Sequence, residues 1–89
     1  MEGGEESWRP RSREDVVLRK VGNEWLLFDP RHQRIHALNL SATLVWSHCT
    51  GEYTPEDIEE AVVLAYGTEE ARPHVLTALE QFRDEDLLL

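Results

Sequence analysis

The sequence predicts an α+β fold in which a three-stranded antiparallel meander is followed by a three-helix bundle. A chain of 89 residues has the size of a single domain. Apolar and β-branched runs separated by turn residues predict strands in the first half of the chain. Apolar residues at helical spacing behind capping residues predict helices in the second half.

The strands are predicted around two turns. The runs VVLRKV and EWLLFD flank Gly22-Asn23, a pair typical of a two-residue hairpin in which Val21 faces Glu24. A second set of turn formers, residues 29–33, leads into a third strand over residues 34–38. One face of the hairpin is more uniformly apolar than the other and comprises Val16, Leu18, Lys20, Trp25 and Leu27. Because so small a sheet is marginal in water, a second layer must cover it.

The first two helices are predicted from their ends. Asn39 is a suitable N-cap for a helix over residues 40–49, where apolar residues recur at helical spacing up to a stop at Gly51. Thr54 followed by Pro55 predicts the start of a second helix, and Gly67 its end.

The third helix is predicted to begin between residues 68 and 73 and to run to about residue 84. Its apolar arc is wider than contact with a core requires, so one edge of the helix has apolar surface to spare. At that edge Arg72 and Arg83 lie close to Leu76 in angular position. The arc comprises Val75, Leu76, Ala78, Leu79 and Phe82.

Residues 1–13 are predicted to form a flexible tail and residues 14–89 the folded domain. The first segment combines Gly, Ser, Glu, Arg and Pro with one Trp, which is too little apolar surface to offset the entropy of ordering. Alternatively, Arg9, Arg11 and Arg13 form a basic arm for an acidic partner.

The net charge of -9 argues against a nucleic-acid partner, because such binding depends on Lys and Arg that neutralise phosphates. Residues 39–89 hold eleven acidic residues and only two basic ones, so a basic partner fits this half better. No run of about 18 apolar residues and no signal-peptide pattern is found. We therefore expect a cytoplasmic protein without a membrane contact.

The sequence offers little for chemistry. Cys49 is the only cysteine, which excludes an intramolecular disulfide and a cysteine-based metal site. The four histidines fall on different predicted elements, and no catalytic or phosphate-binding motif occurs. We expect no metal, no cofactor and no enzymatic activity. An independent hydrolase that uses Cys49 is kept as an alternative.

The third strand lies at an edge of the predicted meander and contains neither Pro nor Gly. Such an edge presents free N–H and C=O groups to an extended chain. Beside a helix with spare apolar surface, it suits a peptide that binds by strand addition. Two other occupants remain open from these residues alone, which are the N-terminal tail and a second copy of the chain.

The segment RIHALNLSATLVWSHCTGEYTPEDIEEAVVLAYG resembles the PqqD-like family of RiPP recognition elements, most closely its free-standing lasso-peptide members. The resemblance depends on the spacing of Leu38-Asn39, Ala42, Val45-Trp46 and Gly51, followed by the residues from Thr54 to Ile58. It implies a winged-helix-like fold that binds the leader of a ribosomally made precursor peptide. It also implies delivery of that precursor to a separate cysteine leader peptidase, before a cyclase closes the ring.

The resemblance further implies a binding site between the third strand and the third helix. The leader would pair with the backbone of the strand and place side chains in pockets of the helix, while two arginines clamp a leader carboxylate. Leu76 is the residue most expected to act there, whereas the other apolar helix residues also suit the core. The implied strand residues are Arg34, Ile35, His36, Ala37 and Leu38, the pocket residues Val75, Leu76, Leu79 and Phe82, and the arginines Arg72 and Arg83.

Two further alternatives share this fold. One is a peptide carrier for a radical SAM or other modifying enzyme, which would bind its precursor in the same way. The other is a winged-helix DNA-binding protein, which would need a basic recognition helix, whereas Glu80, Asp84 and Glu85 make the third helix acidic. Pro73, in the first turn of that helix, departs from the family pattern.

Overall fold

The computed structural model describes residues 8–89 and contains the predicted order of three strands followed by three helices. The α+β fold is confirmed. The strands are β1 (Val17–Val21), β2 (Glu24–Asp29) and β3 (Arg34–Leu38). The helices are α1 (Leu40–Ser47), α2 (Pro55–Tyr66) and α3 (Arg72–Asp84), and one short 3-10 turn (Glu69–Ala71) precedes α3.

The three strands form an antiparallel sheet in the order β1-β2-β3, so β3 lies at an edge. Val21 stands opposite Glu24, as the Gly22-Asn23 hairpin predicts, and Gly22 has the positive φ of 61° that such a turn requires. Leu27 faces the helices and is fully buried. Its partners across the sheet, Leu18 on β1 and His36 on β3, therefore face the same way.

The helices begin and end where their capping residues place them. The Asn39 side chain accepts a hydrogen bond from the Ala42 amide at 2.8 Å, which caps α1. Thr54 and Asp57 form a reciprocal capping box at the start of α2, and Gly67 ends α2 with a φ of 74°. Only α1 is shorter than predicted, since it ends at Ser47.

The core lies between the inner face of the sheet and the helices. The Trp46 and Phe82 rings meet edge to face, with their centroids 5.2 Å apart, and join α1 to α3. Fully buried side chains from β2, α1, α2, α3 and the C-terminal segment complete this core, namely Leu27, Val45, Ile58, Val62, Val75, Leu79 and Leu87.

The predicted boundary at residue 14 is wrong, because residues 10–13 are part of the folded domain. The Ser12 amide donates to the Cys49 carbonyl at 2.9 Å, and the Leu89 amide donates to the Arg11 carbonyl at 2.7 Å. Pro10 and Arg13 are buried. Residues 10–13 therefore join the α1–α2 loop to the C-terminus. Because the Arg13 side chain is buried, it is not part of a basic arm. Residues 1–7 of the predicted tail lie outside the described residues.

Candidate functional site

The outer edge of β3 has no partner strand among residues 8–89. The described N-terminal residues do not cover it, since Arg11 and Ser12 pair with Thr50 and Leu88 instead. The strand contains no proline and no bulge, which are two of the devices that usually protect an edge. The N–H and C=O groups on this side of β3 are therefore open to an extended chain.

A groove of about 440 Å³ runs between β3 and α3. Ile35 to Leu38 form one wall, and Gln81 and Glu85 of α3 line the other. Phe82, Asn39, Ala42 and Leu87 also contribute to its lining. The groove lies next to the open backbone of β3, and its lining is mostly polar, with apolar contributions from Leu38, Phe82 and Leu87.

The side chains of β3 alternate between two environments. His36 and Leu38 are half-buried on the side of the helices, whereas Ile35 and Ala37 are exposed on the opposite face. The His36 Nε2 atom is buried and has no hydrogen-bond partner within residues 8–89. A buried nitrogen without a partner is uncommon, so this wall of the groove has unused hydrogen-bonding capacity.

An ion pair between Arg34 and Glu85 joins β3 to α3 at one end of the groove. Both side chains are partly exposed, so the pair contributes at most about 1 kcal/mol and can rearrange around a ligand. Near the other end, a second cavity of about 390 Å³ adjoins the groove at Asn39. Leu40, Tyr66 and His74 are among its lining residues.

The turn that leads into β3 is fixed by the buried carboxylate of Asp29. It accepts hydrogen bonds from the Arg13 guanidinium at 3.1 Å and from the Arg31 amide at 3.1 Å, and its other oxygen lies 2.8 Å from His32 Nδ1. Burial alone would raise the pKa of Asp29, but the hydrogen bonds from Arg13 and His32 outweigh it and hold this pKa well below its ordinary value. The network therefore holds the start of β3 in place.

The structure corrects the predicted role of the α3 residues. Val75 and Leu79 are buried in the core and are not available to a ligand, while Phe82 is buried and lines the groove. Leu76 is exposed, but it lies about 140° around the helix from Gln81 and so faces away from β3.

The two arginines lie on the same side of α3 as Leu76. Arg72 pairs with Glu59 of α2 at 3.1 Å and with two further acids, and the Arg83 guanidinium lies 5.0 Å from the centre of the Trp8 ring. Neither forms the predicted clamp beside β3. The spare apolar surface around Leu76 lies on the side of α3 that is turned to α2 and solvent.

Five groove residues were not among the predicted site residues, namely Asn39, Ala42, Gln81, Glu85 and Leu87. Gln81 and Glu85 are four residues apart and share one face of α3. This four-residue spacing can be read from the sequence, but polar residues that share a helix face usually do no more than face solvent. The spacing therefore does not identify a wall of a binding groove.

The described structure does not bring Cys49 or the possible metal-ligating side chains together in a site. Burial raises the pKa of the Cys49 thiol to about 12, and the side chain is enclosed in the core. Among residues 8–89, no three His, Cys, Asp or Glu side chains are grouped as metal ligands. In the same part of the chain, no helix has the length and apolar composition to cross a membrane.

Comparison with known proteins places these features in a family context. The family model described as coenzyme PQQ synthesis protein D (PqqD) matches residues 24–88. No curated protein matches the chain. Among solved structures, the fold is similar to that described as TbiB1 in complex with the TbiA(beta) leader peptide, with a TM-score of 0.71. That likeness has 19% sequence identity and covers 88% of this chain and 93% of the other.

Proposed function

Because the chain belongs to the PqqD family, we propose that it binds the leader segment of a ribosomally made precursor peptide by strand addition to β3. The observation that carries this proposal is the open edge of β3 beside the groove it forms with α3. An extended peptide there would continue the sheet as a fourth strand. Main-chain hydrogen bonds would hold it, and the groove would select its side chains.

The dimensions of the site fit a short extended segment. The five residues of β3 span about 17 Å at 3.3 Å per residue, so roughly five residues of the leader pair with the strand. Every second leader side chain then enters the groove, where Phe82 and Leu38 offer apolar contact.

The energetics require several contacts at once. A micromolar complex needs about −8 kcal/mol, and association itself costs at least about 4 kcal/mol. A buried Leu-sized side chain contributes roughly 1.5–3 kcal/mol. Main-chain pairing along β3 and more than one anchored side chain must therefore act together.

The fold shared with TbiB1, which was solved with a leader peptide, supports leader binding as the role of this chain. We propose a lasso-peptide pathway in particular, because the motif spacing within residues 34–67 resembles the free-standing lasso-peptide members of the family. We assign no catalysis to the chain and propose that it delivers the bound precursor to a separate cysteine leader peptidase before a cyclase acts. The buried, protonated thiol of Cys49 supports a non-catalytic role.

The proposal is tested by filling the groove. Gln81 is exposed on the groove wall, so Gln81→Trp should occupy the space of the leader without disturbing the core. We expect leader affinity to fall at least tenfold, measured by fluorescence anisotropy with the labelled leader of the precursor encoded beside this chain.

The matched control is Leu76→Trp, which adds the same ring to the opposite side of the same helix. It should leave leader affinity within about twofold of the wild type. Equal affinities for all three proteins would remove the groove from the proposed mechanism.

A further inference from the structure

The cavity that adjoins the groove at Asn39 is not used by the strand addition described above. Its volume is about 390 Å³, within the range of roughly 300–1,000 Å³ that is common for ligand pockets. We call it the corner cavity, because the start of α1, the end of α2 and the start of α3 all contribute to its wall. Its lining includes Asn39, Leu40, Tyr66, Glu70 and His74.

Part of this wall is apolar and accessible. Leu40 is 59% exposed and Tyr66 is 41% exposed, although both are large side chains with apolar surface. Long basic side chains pack their methylene stems along apolar surface of this kind and keep their charged ends outside it. The two residues therefore offer a contact to the stem of a Lys or Arg.

Glu70 adds a carboxylate to the wall, and it forms no ion pair within residues 8–89. Arg72 is close in sequence, but it pairs with three other acidic residues. No Lys or Arg of the described chain lines the cavity. The charge of Glu70 is therefore open to a basic group from a ligand.

The helix ends at the cavity do not reverse this sign. The N-terminus of α1 carries a partial positive charge, and the C-terminus of α2 carries a partial negative one. The Asn39 side chain already caps α1, and the Thr68 hydroxyl accepts a hydrogen bond from the Glu70 amide at 3.2 Å. Residues 39–89 also hold eleven acidic residues and two basic ones, so the wider field is negative.

We propose that the corner cavity binds a Lys or Arg side chain of the leader. The inference rests on the proposed function, since it needs a leader strand on the edge of β3. Beyond Leu38 the chain turns into α1, whereas an added strand continues in its own direction and reaches the cavity at Asn39. The stem of the basic side chain packs against Leu40 and Tyr66, and its charged end pairs with Glu70.

This placement predicts where the basic residue lies in the leader. The groove and the cavity share Asn39, the residue that directly follows β3. The basic residue is therefore just outside the roughly five leader residues that pair with β3. The corner cavity then selects leaders by charge, in addition to the selection by the groove.

The experiment reverses one charge at each of two exposed acidic residues of the full chain. Glu70→Lys acts at the cavity, and Glu52→Lys makes the same change in the α1–α2 loop, outside the cavity lining. The two variants have the same net charge, so long-range attraction of the leader changes equally in both. By fluorescence anisotropy with the labelled leader, Glu70→Lys should lose at least about fivefold in affinity. Glu52→Lys should stay within about twofold of the wild type.

A double-mutant cycle identifies the leader residue. Each Lys and Arg of the leader is replaced by Gln in turn and tested against the wild type and against Glu70→Gln, a smaller change at the same exposed position. For one basic residue beside the paired segment, the replacement should cost about threefold with the wild type and nothing further with Glu70→Gln. Circular dichroism melting checks that both Glu70 variants are folded.

Equal affinities of Glu70→Lys and Glu52→Lys would show that the corner cavity does not bind the leader. A leader without Lys or Arg beside the paired segment, or a cycle without coupling, would overturn the inference in the same way. In each of these cases a loss of affinity in Gln81→Trp still supports the proposed function. If the wild type does not bind the leader, the proposed function fails and the inference fails with it.

Discussion

At the scale of single residues, Asp29 links the N-terminal segment, the turn before β3 and the C-terminus. Arg13 reaches it from the N-terminal segment and also donates to the Asp86 carbonyl at 2.8 Å. His32 approaches both Asp29 and Asp86. The buried carboxylate of Asp29 balances the positive charge of the buried Arg13 guanidinium. Removing the carboxylate would leave that positive charge buried without this partner.

Asp29→Asn is expected to lower the Tm by more than about 5 °C at pH 7 in circular dichroism melting, because it leaves Arg13 without the counter-charge that is buried with it. Asp15→Asn removes the exposed partner of the same guanidinium and should lower the Tm by about 2 °C or less. Equal Tm values for Asp29→Asn and the wild type would show that the buried pair does not hold the turn.

The same residue predicts an acid dependence. The pKa of Asp29 is lower in the folded protein than its ordinary value of 3.8. At pH values above 3.8, the ionised carboxylate of Asp29 therefore stabilises the fold. The contribution is lost as the pH falls below about 4 towards the folded-state pKa. Between about pH 5 and pH 2 the wild-type Tm should therefore fall more steeply than that of Asp29→Asn.

Cys49 gives a second prediction at this scale. Its thiol is enclosed, lies 3.3 Å from the Val45 carbonyl and has a pKa raised to about 12 by burial, so little thiolate exists near neutral pH. At pH 8 we expect the native protein to react with a disulfide reagent at least about 100-fold more slowly than the denatured protein. Equal rates would show that the thiol is accessible and would revive Cys49 as a nucleophile.

At the scale of the elements, the caps fix the helices and so fix the lining of the groove. Asn39 ends β3 and caps α1, and it also contributes to the groove and to the adjoining cavity. The capping box of Thr54 and Asp57 begins α2, whose Ile58 and Val62 are buried against the rest of the core. Packing of α2 in turn supports α3, which forms the far wall of the groove.

Thr54→Ala is expected to destabilise the protein by about 1 kcal/mol in urea unfolding, because the first turn of α2 loses its side-chain acceptor. Thr77→Ala makes the same change in the exposed interior of α3, where alanine has the higher helix propensity. It should change stability by less than about 0.5 kcal/mol. The same loss in both variants would mean that the cap contributes nothing specific.

At the scale of the whole molecule, residues 10–13 and residues 87–89 are joined to each other and to the core. Residues 10–13 pair with the α1–α2 loop on one side and with residues 87–89 on the other. Leu87 and Leu88 are buried beside them. The folded unit therefore depends on contacts between residues that are far apart in the sequence.

A chain that starts at residue 14 is expected to melt at least about 10 °C below one that starts at residue 8. It loses five backbone hydrogen bonds, formed by Pro10, Arg11, Ser12 and Arg13, and the buried Arg13 side chain. The chain from residue 8 serves as the control because it retains all of these contacts. Equal melting of the two would restore the boundary at residue 14.

The sequence by itself determined the elements and their order, because these depend on local signals. Gly22-Asn23 predicts the register of the first hairpin, and Asn39, Thr54 and Gly67 predict helix ends that the structure confirms. Each of these residues acts on backbone within four positions of itself. The edge position of β3 also follows, since a meander with short turns places its third strand at an edge.

Only the tertiary structure decided which side of α3 faces β3 and where the folded domain begins. The apolar arc of α3 is visible in the sequence, but the residues on its two flanks do not indicate which flank packs beside β3. Arg72 turned to α2, and Gln81 and Glu85 turned to β3. Likewise, the polar segment around Ser12 is ordered by backbone bonds to Cys49 and Leu89 rather than by its own composition. Contacts between distant segments leave no periodic or local signal, so they are settled only when the chain packs.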